Sequence, residues 1–212
     1  MPGRFPKVFG VGLMKTGTST LAQMLKVLGS DHAPYDLPLI NAVAGGDRSG
    51  LADAIARHES FEDWPWPLVL DETVAMAPDA GFILTRRKSP EIWLQSVRGH
   101  VTRNTSENSR HLREMFFGTD DPWRDEAAYL AFYDNHLEHV RQVARDRGLP
   151  LLDLCWEEGD GWKQLCDWLE VDVVPCEVPH LNAAPKVPTF QRRVRRKLKW
   201  TFGRLMEPLR NG

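Results

Sequence analysis

Val8-Phe9-Gly10-Val11-Gly12-Leu13-Met14-Lys15-Thr16-Gly17-Thr18-Ser19-Thr20 is the stretch on which the fold turns. Its apolar start predicts a short strand over Val8–Val11, and its glycines predict a tight turn. Leu21, Met24, Leu25 and Leu28 then mark one face of a helix over Ser19–Leu28. Strand, Gly-rich loop and helix in that order make a phosphate cradle. The first amides of a helix have no carbonyl partner, the helix dipole adds partial positive charge there, and glycine lets backbone approach an anion closely. A nucleotide-hydrolysing loop, G-x-x-x-x-G-K-[ST], carries its lysine directly after the second glycine. Gly12 and Gly17 have that separation, but Thr18 holds the lysine position and Lys15 precedes Gly17 by two residues. Taken alone, the tetrapeptide also reads as a Gly-rich turn with an incidental lysine.

A second segment has the same character. Gly81-Phe82-Ile83-Leu84-Thr85 predicts a buried strand that runs into Arg86-Arg87-Lys88. Ser89 is an N-cap type and Pro90 suits the first helical position, so a helix follows over Pro90–His100. Cations at the carboxyl end of a parallel strand sit where open α/β sheets bind ligands, and the planar fork of arginine suits phosphate. A solvated basic helix start is the other reading of this segment alone.

The order K-T-G-T-S-T resembles the 5′-phosphosulfate loop of the sulfotransferases that use PAPS (3′-phosphoadenosine 5′-phosphosulfate). Three further patches resemble a branch of small sulfotransferases: Asp63-Trp64-Pro65 as a D-x-P element, Trp162-Lys163-Gln164-Leu165-Cys166-Asp167-Trp168-Leu169 as its W-x-x-L-C-x-[FW]-L helix, and Pro179-His180-Leu181-Asn182 as its P-H-x-N segment. The patches run from Lys7 to about Asn182, most of the chain. Met14 stands where that family often has proline, and the spacing from Arg87 to Pro90 varies by one. The resemblance implies an α/β fold, a three-layer parallel sheet flanked by helices with a P-loop-like start. It implies that Thr16, Gly17, Thr18, Ser19 and Thr20 hold the 5′-phosphate with loop amides and hydroxyls. Lys15 would neutralise charge on the sulfuryl group and bridging oxygen, and Arg87 with Ser96 would hold the 3′-phosphate, with Arg86 and Lys88 as alternate registers. Asp63 is the first choice as base for the acceptor hydroxyl or amine, with Glu62 and His32 as alternatives. PAPS is the expected co-substrate, and no metal is expected.

The competing function rests on Leu68-Val69-Leu70-Asp71-Glu72, an apolar run into two acids as in an ATPase that positions Mg²⁺. That reading makes the chain a P-loop kinase or ATPase. An inactive nucleotide-binding interaction module is the third class.

At 212 residues, with 42% hydrophobic and 26% charged residues, the chain suits one soluble domain with a real core. No run approaches the roughly 20 apolar residues of a membrane span. The charged N-terminus does not read as a secretory signal, and Cys155, Cys166 and Cys176 show no metal or disulfide spacing, so a cytoplasmic location is expected. Further helices are predicted near Gly50–His58, at Val69–Ala77, from Asp125 to Arg147 and at Gly161–Leu169, with a strand at Leu151–Leu154. The segment between the first helix and Gly50 reads as loop. Gly99–Asp121 reads as a lid or a packed helix, His100 and His111 beside it as solvated, and His136 and His139 as free of metal. Residues 1–188 form the expected sulfotransferase domain and 189–212 a basic amphipathic helix. From Lys186 onward nine Lys or Arg face one acid, a charge of +8, so the remainder carries −10 to reach −2. A small-molecule or glycan acceptor is expected. An anionic membrane surface is a candidate partner of the tail, and Lys186 a candidate donor contact. Nucleic acid is not expected.

Overall fold

A computed structural model describes residues 3–173 and 177–179. The tail 189–212, Cys176, Lys186 and the His180 to Asn182 part of the P-H-x-N segment lie outside the described residues. Four parallel strands, β1 (Val8–Gly10), β2 (Ser60–Phe61), β3 (Gly81–Thr85) and β4 (Leu151–Leu154), form one sheet in the order β2-β1-β3-β4. Val8 pairs with Ser60 on one side and Gly81 on the other. The chain therefore leaves β1 toward β2 and later returns to its other side as β3. The carboxyl ends of β1 and β3 flank the point where strand order reverses, the ligand crevice of open α/β sheets.

Alternation along the strands divides the interior in two. Val8, Ile83 and Leu154 face α1 (Thr18–Val27) and α8 (Trp162–Leu169), and they pack with Leu21, Met24, Leu25, Leu165 and Cys166. Phe9, Phe61, Phe82 and Leu84 face the larger cluster on the other side. That cluster is completed by α2 (Leu37–Ala44), α3 (Leu51–Arg57), α4 (Leu70–Met76), α5 (Pro90–Arg103), α6 (Glu107–Phe117) and α7 (Glu126–Arg147). The arrangement is the expected three-layer α/β sandwich. The strands and helices expected between Val8 and Leu169 are present within a few residues, and α7 ends at Gly148 in the left-handed region, φ 63°.

Two elements depart from the sequence reading, and a third decides between its two alternatives. The Pro- and Gly-rich loop contains α2, whose start is made by Asp36: its carboxylate accepts the Leu39 amide, and Pro38 sits in the first turn. The proline punctuated a helix start, not a loop. The stretch 99–121 is packed helix, with Ser106 capping α6 and Gly118 closing it at φ 72°. Strand β2 has two residues, too short for an alternation pattern to show. Among the described residues no helix is long and apolar enough to cross a membrane.

Candidate active site

The loop after β1 is held from the core side through its carbonyls. His136 Nε2 donates to Val11 O (2.7 Å), Trp93 Nε1 to Met14 O (2.8 Å) and Arg87 to Lys15 O (3.3 Å). A carbonyl can only accept, so His136 carries its proton on Nε2; burial holds its pKa near 4 and it stays neutral. Each carbonyl fixed on the core side is an oxygen kept away from the ligand side, where it would repel an anion. Gly12 abuts β3 so closely that a Cβ there would lie 2.1 Å from Thr85 Oγ1. Lys15 (φ 69°) and Gly17 (φ 101°) both adopt the left-handed region, which turns successive amides to one side as in an anion-binding nest. Lys15 bears that strain despite its side chain, a cost of order 1–3 kcal/mol.

The loop hydroxyls are committed elsewhere. Thr16 Oγ1 donates to Leu13 O and shares a 2.6 Å bond with Thr85 Oγ1. Thr18 bonds the Glu62 carboxyl, and Thr20 Oγ1 donates to Pro179 O at 3.0 Å. Where the resemblance implied hydroxyls turned to a phosphate, Thr18 and Thr20 here brace the loop, and both stand in the first turn of α1. Thr18 and Ser19 line the cleft there.

The three cations after β3 separate cleanly. Arg86 is locked to Asp153 (2.8 Å) and Glu158 (2.7 Å), Asp153 being shared with Arg141, so Arg86 serves the fold. Lys88 uses its amide on Glu157. Arg87 lies against the loop through Lys15 O and pairs with Glu157, while its Nε is buried without a hydrogen-bond partner. Ser96 makes no side-chain hydrogen bond to Arg87 among the described residues. It lies on the α5 face that continues, four and seven residues on, to His100 and Arg103. Trp156, which the sequence did not single out, seats its indole on Gly17, where a Cβ would come 2.2 Å from Nε1. That N–H is also buried and unpartnered. Two buried donors without acceptors at one loop cost about 1–3 kcal/mol each, and a polyanionic ligand such as a bisphosphorylated nucleotide would satisfy them.

Opposite the loop, the chain leaving β2 supplies Glu62 and Asp63. A cleft of about 530 Å³ joins Met14, Lys15, Thr18 and Ser19 to Asp63 and Trp64, and to the end of α5 and α6. Asp63 is left-handed (φ 60°), and Oδ1 accepts the Trp64 amide at 2.9 Å. Burial raises its pKa, against the pull of that amide and of Lys15. Glu62 is pushed up as well, to about 8, by burial and then by Asp63; its Oε2 is buried without a partner. Lys15 is lowered by burial and then by Arg103, with Asp63 opposing and Arg87 adding to the drop. His32, the third base candidate, bonds Ser60 Oγ at the start of β2 and does not line this cleft. His100 does line it, half-buried and not solvated, with its pKa near 4. Asp71 and Glu72 open α4 and bond Arg147 and Arg48; they are off the cleft, so the ATPase-like element supplies no acid to it.

The sulfotransferase domain family is matched over residues 7–187. The chain is 29% identical to the Ava biosynthesis cluster protein M of Aspergillus versicolor, over 82% of this chain and 80% of that protein. Its fold is similar to the crystal structure of a sulfotransferase from Alicyclobacillus acidocaldarius, with a TM-score of 0.56 and 18% identity over 98% of this chain and 96% of that one.

Proposed function

The chain belongs to the sulfotransferase domain family, and from that premise we propose that it moves a sulfuryl group from PAPS to a hydroxyl or amine of a small-molecule acceptor by in-line displacement. The observation that carries the reading is the placement of Lys15, on a strained anion-binding loop, across one cleft from the Asp63 carboxylate. The relative from a biosynthesis cluster agrees with a small molecule as acceptor.

When bound, PAPS supplies an activated sulfuryl group on a good leaving group. The amides at the start of α1 and the free Nε of Arg87 hold phosphate. Lys15 stands where negative charge grows as the bond to the nucleotide breaks, and a fixed cation in a partly dry cleft acts more strongly there than in water. Asp63 takes the acceptor proton. Of the two neighbouring carboxyls, Asp63 has the Trp64 amide and Lys15 to favour its anion, whereas Glu62 has the Thr18 hydroxyl and Lys26, with the Asp63 charge opposing. Glu62 therefore keeps the shared proton near neutral pH and leaves Asp63 as the base, its basicity raised toward the working range.

Melting curves with PAP, the desulfated product, against ATP–Mg²⁺ test the reading. At a hundredfold excess over Kd, PAP should stabilise by about 2.7 kcal/mol, roughly 5–10 °C for a chain of this size. A shift with ATP–Mg²⁺ and none with PAP would replace it with the kinase reading.

A further inference from the structure

The wall facing the loop contains a buried cation on which the Asp120 and Glu114 carboxylates act only from beyond ion-pair distance. Arg113 is 4% exposed, and its guanidinium donates to the Asp120 carbonyl (3.4 Å) and to Ser109 Oγ (3.0 Å), both neutral. The Asp120 carboxylate pairs instead with Arg110 at 3.3 Å. Among the described residues no carboxylate forms an ion pair with Arg113. A guanidinium does not escape burial by losing its proton, so an anion bound beside it would offset the cost of that burial.

A second cation reaches the same place. Arg103, in the last turn of α5, lines the cleft with neither a hydrogen bond nor an ion pair of its side chain among the described residues. His100 sits where both are felt: after burial, Lys15, Arg103 and Arg113 hold its imidazole neutral. Among the described residues lining the cleft, Asp63 is the one carboxylate against Lys15, Arg103 and Arg113. Lys15 belongs to the loop and its ligand. The two arginines are left over, on α5 and α6. Beside them is an apolar wall, with Trp64 stacked on Phe116 (4.2 Å, 9°) and Leu112 and Phe117 next to it.

We infer that the acceptor is itself an organic anion, its carboxylate, sulfate or phosphate group held by Arg113 and Arg103 and its apolar body laid against the Trp64–Phe116 wall. The inference rests on the reading of this cleft as the acceptor side of a sulfuryl transferase. A volume of about 530 Å³ suits a small molecule. The two arginines would also discriminate, since a neutral analogue would leave Arg113 buried and unpaired.

Two fluorescent probes that share one aromatic frame test it: 8-anilinonaphthalene-1-sulfonate and the uncharged N-phenyl-1-naphthylamine, titrated into the full chain with and without saturating PAP. The sulfonate should bind about ten- to a hundredfold more tightly, the range of a charge-assisted bond. Arg103→Gln and Arg113→Met should each cut that preference and leave the neutral probe and PAP stabilisation unchanged. Arg103 is exposed, so Arg103→Gln folds and carries the test alone if Arg113→Met does not. Equal binding of the two probes by the wild type, or no binding of either, overturns the inference. So does a loss of PAP affinity in Arg103→Gln that matches the loss for the sulfonate, which would assign the arginine to the donor. A charge preference that persists while PAP fails to bind keeps the anion subsite and removes the sulfuryl-transfer reading instead.

Discussion

The two rims of the cleft are built on different plans. The loop rim is one contiguous stretch whose carbonyls and hydroxyls are nearly all tied to the core, through His136, Trp93, Thr85 and Glu62. The opposite rim is assembled from Asp63 and Trp64 after β2, Arg103 at the end of α5 and Arg113 on α6, and among the described residues neither arginine forms an ion pair. A rim whose carbonyls and hydroxyls are fixed from within can hold a fixed charge pattern for one ligand. A rim whose arginines, Arg103 at the end of α5 and Arg113 within α6, form no ion pair among the described residues can be re-aimed by changing few residues. The difference is what a transferase needs when its donor is constant and its acceptor is particular.

The largest effect should come from the loop rim. Lys15→Ala should lower kcat by about two to three orders of magnitude and leave the melting temperature within a few degrees, because the side chain stabilises a transition state and not the core. Near-normal turnover of PAPS would move the reactive charge to the other rim and break the comparison. Arg87→Ala sharpens it. Losing a charge-assisted bond of about 1.5–3 kcal/mol should weaken PAP by roughly ten- to a hundredfold, and discrimination against an analogue lacking the 3′-phosphate should fall with it. An unchanged preference would place the 3′-phosphate elsewhere, and Lys88→Ala would be the next variant to compare.

The smallest effect is thermodynamic. Burial raises the Glu62 pKa from 4.5 to about 8. Between those values the folded protein holds a proton that the unfolded chain has released, so stability falls as pH rises through that window and levels off above it. Glu62→Gln cannot titrate, and its stability, followed by urea denaturation from pH 5 to 8.5, should decline less than that of the wild type. Parallel curves would mean that the proton resides on Asp63, and the assignment of the base would reverse.

Legibility followed the same division. The loop rim could be read because a phosphate cradle is a local object: glycines at a fixed separation, a lysine and a helix start within thirteen residues. The register among Arg86, Arg87 and Lys88 could not. It depends on Asp153 and Glu158, 67 and 72 residues downstream, which bond Arg86. His32 looked available beside the loop until β2 formed and brought Ser60 to it. Pro38 and the Gly45–Gly46 pair disguised α2 as a loop, although Asp36 and the apolar Leu39, Ile40 and Val43 carried the helical signal. Arg113 had no signature at all. A buried arginine and a solvated one are the same letter, and only the packing of α6 tells them apart.

The bond from Thr20 Oγ1 to the Pro179 carbonyl joins residues 159 apart in the chain. It carries a schedule. At about 5–20 residues per second on a ribosome, the partner of Thr20 arrives roughly 8–32 seconds after Thr20 itself. The loop is made before the partner that closes it exists. For that interval the nascent chain holds an anion-binding loop that lacks its final brace.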